Sequence, residues 1–269
     1  MIAAPDLDAY FARIEWGGAT SVGYETLAGI LLAHTARIPF ENLDVLLGKR
    51  VRLDVEALTA KLVHARRGGY CFEQATLLAA VLERLGFAAV RHTARVTIAN
   101  PRDVSPRTHM ILSVTLPEGT FIADPGFGAQ SPRLPVPLVD RREVRVGNDV
   151  HWMAREDRWW VLRNRAGDKV TNCWATTLDA DNLIDFELGN HYTSTHPDSV
   201  FVNHAMMCAH ATPERITIID RNATVHQASG PVVRALADRR ELRALVAERF
   251  GFDLPEVERM RVPGVPEWA

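Results

Sequence analysis

The stretch Arg66-Arg67-Gly68-Gly69-Tyr70-Cys71-Phe72-Glu73-Gln74 holds the densest chemistry in the chain. Two glycines precede a cysteine that opens a helical apolar pattern, and glycines permit a tight approach of the backbone. A thiol at a helix N-terminus meets the positive end of the helix dipole and unpaired backbone N–H groups. Both favour thiolate, which is the nucleophile, and the same N–H groups can donate to an oxyanion during acyl transfer. The other reading of such a cysteine is a small buried hydrophobe. That reading fits Cys173 and Cys208, which sit in apolar runs without flanking glycines.

A nucleophile of this kind needs a base, and the base needs an orienting group. Among ten histidines, His109 opens the apolar run Met110-Ile111-Leu112-Ser113-Val114. Asp124 closes the next run, Phe121-Ile122-Ala123, beyond a turn at Pro117-Glu118-Gly119. A hairpin through that turn makes His109 and Asp124 neighbours at one rim of a sheet. Sequence gives that proximity, not a hydrogen bond. His34 and His64 read as helix-surface residues, and His191, His196 and His204 cluster late in the chain without an obvious carboxylate partner. No HExxH or similar spacing suggests a metal. After Asp124 comes Pro125-Gly126-Phe127-Gly128, whose glycines suit either an ordinary turn or a loop whose N–H groups approach a phosphate.

The elements that must position these residues follow from apolar periodicity. Residues 24–36 read as a helix with Leu27, Ile30 and Leu31 on one face. Asp54 reads as an N-cap ahead of Val55, Leu58 and Leu62. Residues 71–85 form a third helix, with Leu78, Leu82 and Leu85 on one face and Gly86 as its stop. Residues 88–98, 110–114, 121–123, 159–162 and 169–174 read as short strands of an antiparallel sheet or barrel, and 132–137 as a proline-rich loop. Further on, 201–209 and 215–219 read as strands and 232–250 as a helix stopped by Gly251. Soft boundaries fall near Gly86 and Asp185.

Composition narrows the classes. The chain has 269 residues, 47% hydrophobic and 24% charged, with a formal net charge of −2. That is ordinary for a globular protein and gives no strong pull toward nucleic acid or anionic lipid. The basic pairs Arg66-Arg67 and Arg141-Arg142 are too short to change this. No apolar run approaches the roughly 18 residues that span a bilayer, and Asp6 and Asp8 do not suit a signal peptide. Three cysteines without a CxxC pair argue against a disulfide framework or a zinc knuckle. The expected location is a reducing cytoplasm.

Taken together, the blocks resemble a known family, the arylamine N-acetyltransferases. The resemblance rests on Ile38-Pro39-Phe40-Glu41-Asn42-Leu43, Arg67-Gly68-Gly69-Tyr70-Cys71-Phe72-Glu73 and Arg107-Thr108-His109-Met110. It continues through Asp124, Gly126-Phe127-Gly128, Asn190-His191-Tyr192 and Ser199-Val200-Phe201, in the family's order. It implies an α+β fold of three parts with a cysteine-protease-like catalytic core: a helical bundle over 1–86, a β-barrel over 87–185 and an α/β lid over 186–269. It implies ping-pong acetyl transfer from acetyl-CoA, a co-substrate rather than a resident cofactor, through Cys71 to an arylamine, hydrazine or hydroxylamine. His109 would be the base and Asp124 its orienting acid. Thr108, Gly126, Phe127 and Gly128 would contact the coenzyme, with the two glycines near its pyrophosphate. Phe40, Val96, Phe127 and Phe201 would line the acyl and amine pocket. No metal, nucleic acid or membrane partner is implied, and oligomeric state is left open. Two positions depart from the family pattern: Ala75 stands where asparagine is common, and Pro125 where the loop usually has valine. Proline removes an N–H donor and restricts Asp124, which bears on the loop and on CoA affinity. Other readings of the same residues are a macrolactam-forming amide synthase of the same family, a thiol hydrolase, and a catalytically dead binding module on this fold.

Overall fold

A computed structural model describes residues 4–210, 214–227 and 229–268. The chain opens with helices α1 (Leu7–Ile14) and α2 (Tyr24–Arg37), a two-residue strand β1 (Phe40–Glu41), short helices α3 (Leu43–Leu46) and α4 (Val55–Leu58), and α5 (Cys71–Arg84). Asp54 caps α4 through a bond from the Ala57 N–H at 3.0 Å, and the helix continues as a π-helical turn, Thr59–His64. Strands β2 (Ala88–Val96), β3 (His109–Leu116), β4 (Gly119–Ala123), β5 (Val136–Pro137), β6 (Val144–Val146), β7 (Asp149–Glu156), β8 (Trp159–Ala166) and β9 (Lys169–Thr176) follow. They form one antiparallel sheet in the order β5-β4-β3-β2-β9-β8-β7-β6. An isolated bridge between Asp140 and Met153 brings the chain beyond β5 against β7, so the sheet curls back on itself.

Helices α6 (Leu183–Thr195) and α7 (Val200–Asn203) lead to strands β10 (Met206–His210), β11 (Arg215–Ile219), β12 (Asn222–Gln227) and β13 (Gly230–Ala235), and then to α8 (Arg239–Phe250). The second sheet runs β1-β10-β11-β12-β13, so its first strand comes from the N-terminal third, with Phe40 opposite Cys208. Among the described residues no helix is long and apolar enough to cross a membrane.

Helix α5 is buried almost all round, from Cys71 through Leu82, because it lies between the other helices and the sheet. Met110, Leu112 and Val114 of β3 join this helical core, while Ile111 joins Ile122, Val136, Met153, Leu162 and Trp174 inside the curled sheet. The period-two alternation of β3 thus serves two cores at once. It sets His109, at the strand's start, on the same face as Ile111.

Four local expectations change. The helix expected over 232–250 is two elements. Pro231, Val232 and Val233 pair with β12, where β-branched residues suit a pleated ladder. The helix begins only after Asp238, whose side chain accepts the N–H groups of Arg240 and Glu241 at 2.9 Å each. The strand expected over 201–209 starts only at Met206, because Ser199 caps a helical turn ahead of it. The 132–137 segment is not all loop: Val136 pairs with Ile122 as an edge strand, a position that tolerates Pro137. His34, expected on a helix surface, is fully buried against Tyr10, with Tyr10 Oη 2.8 Å from His34 Nδ1. Burial pushes His34 down to about 3, so the ring is neutral.

Candidate active site

The loop before α5 is clamped from beneath. Gly69 N–H donates to Pro39 O and Glu41 N–H to Gly69 O, each at 3.2 Å. Gln74 Nε2 donates to Gly69 O at 2.7 Å and Pro39 O at 3.2 Å. A Cβ on Gly68 would lie 2.2 Å from Pro39 O, so the approach requires glycine. Charges finish the clamp. Glu41, fully buried, accepts Arg67 Nε at 3.0 Å, Arg67 Nη2 at 2.6 Å and the Leu43 N–H at 2.7 Å. Arg67 also reaches Asp44 at 3.1 Å, and Lys61 lies 2.7 Å from both Asp44 and Glu73. Glu73 in turn accepts the Tyr70 N–H at 3.1 Å, fixing the residue before Cys71. The carboxylates and cations compensate one another, as buried charges must.

Cys71 is therefore the first residue of a well-held helix, as its glycines suggested. Its side chain is buried, and the thiol donates to Thr108 O at 3.7 Å. Thr108 itself is half-buried and stands one residue before β3. Next in the chain, His109 holds Asp124 through Nε2 to Oδ2 at 2.9 Å. The hairpin register explains the contact: Leu112 lies opposite Ala123, which sets Asp124 beside the start of β3. Cys71 also acts on the His109 ring and favours its charged form. With Nε2 taken by Asp124, the ring nitrogen left for another partner is Nδ1. Burial alone would pull the imidazolium down, but the Asp124 charge and hydrogen bond, with Cys71, outweigh it and raise His109 to about 10. Cys71 thus comes from a helix start, and His109 and Asp124 from one hairpin.

Asp124 is 0% exposed and fully bonded. Oδ1 accepts the Gly126 N–H at 3.2 Å, and Oδ2 accepts Trp174 Nε1–H at 2.8 Å as well as His109. Trp174 carried no signal in the sequence, since only the pairing of β9 with β2 brings it here, opposite Val96. Gly126 presses on the start of α5: a Cβ there would lie 2.5 Å from Cys71 Cα. Phe127 N–H donates to Ser131 Oγ at 2.6 Å, so the amides of both Gly126 and Phe127 are already committed. A Cβ on Gly128 would touch the Phe40 ring at 3.4 Å.

Aromatic side chains cluster around Tyr70 and His109. Phe127 lies 4.8 Å from the His109 ring, and Phe201 lies 6.0 Å from Phe40 and 5.7 Å from Tyr70, between centroids. All three phenylalanines are half-buried, as is Val96, which ends β2 opposite Trp174. Asn42, distant in sequence, fixes Phe201. Its Nδ2 donates to the carbonyls of Phe201 and His204 at 2.8 Å each, and its Oδ1 accepts the Met206 N–H at 2.8 Å. The late histidines have their own structural partners: His204 Nδ1 meets Asp220 Oδ2 at 2.9 Å, a carboxylate that sequence did not reveal. Cys173 and Cys208 are buried in strands, and desolvation pushes Cys208 up to about 12 and Cys173 upward as well.

Comparison with known proteins places the chain in a family. An N-acetyltransferase family model matches residues 24–259. An arylamine N-acetyltransferase of Escherichia coli K12 is 37% identical over 257 residues, covering 94% of this chain and 91% of that protein. An arylamine N-acetyltransferase of Mycobacterium tuberculosis H37Rv is 35% identical over 259 residues, covering 94% and 92%. The chain belongs to the arylamine N-acetyltransferase family. The solved structure of the Mycobacterium marinum arylamine N-acetyltransferase superposes with a TM-score of 0.90 at 33% identity, covering 94% of each chain. The structure of that enzyme in complex with CoA superposes with a TM-score of 0.89.

Within this family the two departures have local explanations. Ala75 is fully buried in the helical core, where a small side chain fits between α5 and its neighbours. Pro125 offers no amide, and Asp124 Oδ1 is satisfied instead by the N–H one residue further on.

Proposed function

We propose that this chain moves an acetyl group from acetyl-CoA to an arylamine, hydrazine or hydroxylamine through an acetyl-Cys71 intermediate. The observation that carries the reading is the buried His109–Asp124 bond, 2.9 Å long, behind a cysteine at a helix N-terminus. In the first half-reaction the Cys71 thiolate attacks the thioester carbonyl. The oxyanion develops beside the Cys71 and Phe72 N–H groups at the start of α5. Collapse expels CoA thiolate, which takes the proton that His109 holds. One thioester replaces another, so this half costs little free energy. In the second half the neutral amine attacks acetyl-Cys71, His109 accepts its proton, and the Cys71 thiolate leaves. Asp124 stabilises the imidazolium in both halves.

The flat aromatic acceptor suits the ring cluster of Phe40, Phe127 and Phe201, with Val96 at its margin. Thr108, Gly126, Phe127 and Gly128 are assigned to the coenzyme. Because the amides of Gly126 and Phe127 are bonded within the loop, the glycines act by letting the pantetheine arm pass close to the backbone rather than by cradling phosphate. A Salmonella typhimurium relative, 32% identical over 254 residues, is named both arylamine N-acetyltransferase and N-hydroxyarylamine O-acetyltransferase, which supports hydroxylamine acceptors. Three free cysteines suit the reducing cytoplasm.

Mass spectrometry after mixing with acetyl-CoA in the absence of acceptor tests the reading. One added acetyl group on the peptide carrying Cys71, discharged by an arylamine, is the expected result. Consumption of acetyl-CoA without any acetylated Cys71 in rapid-quench samples would refute the ping-pong route. Acylation without transfer to any arylamine would favour the amide synthase or the hydrolase.

A further inference from the structure

Away from Cys71, a groove of about 840 Å³ opens where the N-terminus of α2 meets the curled sheet. The first turn of α2 forms one side, Phe121 of β4 and Pro137 of β5 the other, and Arg142 with the edge strand β6 the rim. The geometry points to a second binding site here, one that takes a small aromatic monocarboxylate: the carboxylate on the α2 N-terminus and Thr26, the ring beside Tyr24 and Phe121. Helix α2 has 14 residues and is about 21 Å long. Its other end leads into Pro39, whose carbonyl holds Gly69 near Cys71, so the groove and the Cys71 loop lie at opposite ends of the helix.

The donors come first. Gly23 occupies the N-cap position of α2 and has no side chain with which to bond the first turn. The Leu27 N–H returns to Gly23 O at 3.1 Å, but the N–H groups of Tyr24, Glu25 and Thr26 have no acceptor among the described residues. Together with the positive end of the helix dipole, such groups favour an anion. Thr26 adds an independent donor. It is only 4% exposed and lines the groove, and its hydroxyl has no partner among the described residues. That oxygen is not sealed off as the unpartnered His34 Nε2 is, so it opens on the groove. A hydroxyl left in this setting gains from an acceptor brought to it.

Charge and shape then select the ligand. Arg142 and Arg145 are exposed and make no ion pair among the described residues, whereas Glu143 between them is held by Arg165 at 2.8 Å. Burial and Glu25 raise the Tyr24 phenol while Arg142 pulls it back, so that guanidinium stands near the Tyr24 hydroxyl. Glu25 and Glu118 also line the groove, so two free cations meet two carboxylates. The helix terminus tips this balance toward one added negative charge and not two. A dianion such as phosphate is thereby disfavoured. The rings of Tyr24 and Phe121 lie 5.1 Å apart, and Leu134, Pro137 and Val144 extend the apolar wall. Such a wall packs a flat ring, and the volume suits a small organic molecule rather than a bare ion.

The experiment titrates benzoate, which has no amine to be acetylated, into the isotope-labelled full chain and follows its backbone amides by NMR. The expected result is saturable movement of the Tyr24, Glu25 and Thr26 amides with a Kd on the order of 1 mM. Benzamide keeps the ring and drops the charge, and inorganic phosphate keeps charge and drops the ring; each binds at least about tenfold more weakly. Thr26→Val preserves the shape and removes the hydroxyl, and it weakens benzoate about tenfold, the size of one hydrogen bond to a charged group. If that variant fails to fold, the exposed pair Arg142→Ser with Arg145→Ser decides, with the same direction of loss. Protein alkylated at Cys71 by iodoacetamide binds benzoate unchanged. Shifts confined to the neighbourhood of Phe40, Phe127 and Phe201, or affinity lost on alkylation, would put benzoate in the other cavity and overturn the inference. Benzamide or phosphate as tight as benzoate, full affinity in the folded variants, or no shift at about 20 mM benzoate overturns it equally.

Discussion

Replacing Asp124 by Asn keeps the shape of the side chain and removes one charge from a site with no exposure. The amide cannot satisfy its surroundings in either orientation. With its oxygen toward His109 and Trp174, its NH2 group faces the Gly126 N–H, donor against donor. With the amide reversed, the NH2 group faces two donors, so the first orientation is preferred. The buried N–H left unpaired costs about 1–3 kcal/mol at every pH. The lost charge adds a pH-dependent part. His109 is raised from 6.5 to about 10, and a difference of roughly 3.5 pH units corresponds to at most about 5 kcal/mol. The sign follows from linkage. A folded pKa above the unfolded one contributes stability fully below about pH 6.5, and that contribution is lost as pH rises through about 10. Wild type should therefore exceed Asp124→Asn most at pH 6 and least at pH 10. For a chain of this size, about 2–4 °C of melting temperature accompanies each kcal/mol. The gap should thus be on the order of 10 °C at pH 6 and a few degrees at pH 10. In activity, kcat/KM should fall by about 10³–10⁴-fold, the scale seen when a triad acid is neutralised. Calorimetry at pH 6, 8 and 10, with Cys71 alkylation measured alongside, checks both parts. A melting gap that does not change with pH, together with superimposable alkylation profiles, would show that Asp124 carries no charge-dependent role.

Gly126→Ala places a methyl group 2.5 Å from Cys71 Cα, so the loop or the helix start must move. A displacement near 1 Å should lower kcat by about a hundredfold while the protein stays folded, and steady-state kinetics that match wild type would contradict the close approach. Cys173→Ala and Cys208→Ala should leave acetyl transfer nearly unchanged, and limiting iodoacetamide should label Cys71 first, because burial holds the other two thiols protonated. Peptide mapping that finds either of them labelled before Cys71 would overturn the assignment. Arg67→Ala leaves the fully buried Glu41 without its guanidinium partner and should cost about 3–5 kcal/mol in urea unfolding; a loss under about 1 kcal/mol would mean that Glu41 finds another partner or a proton.

Much of the site was legible in the order of residues because its logic is local. Gly68 and Gly69 before Cys71 mark a tight approach followed by a helix start, and the structure shows both. The turn at 117–119 forces His109 and Asp124 together, since hairpin register is fixed by the turn between two short strands. Local rules failed where two signals overlapped. Across 232–250 the apolar spacing suited a helix, but Val232 and Val233 entered a ladder whose partner lies across a turn at the other side of Gly230. His34 looked exposed because helical periodicity cannot say that α2 is covered on more than one face. What the tertiary structure alone decided are the contacts between elements distant in sequence. Trp174 reaches Asp124 from 50 residues away, and Asn42 reaches Phe201 from 159 away. No spacing rule encodes such pairs, because they depend on which strand neighbours which. The sequence set the candidate groups Cys71, His109 and Asp124 and their local frames. Packing of the curled sheet against the helices set how Asp124 is held, which nitrogen of His109 it engages, and which rings come together.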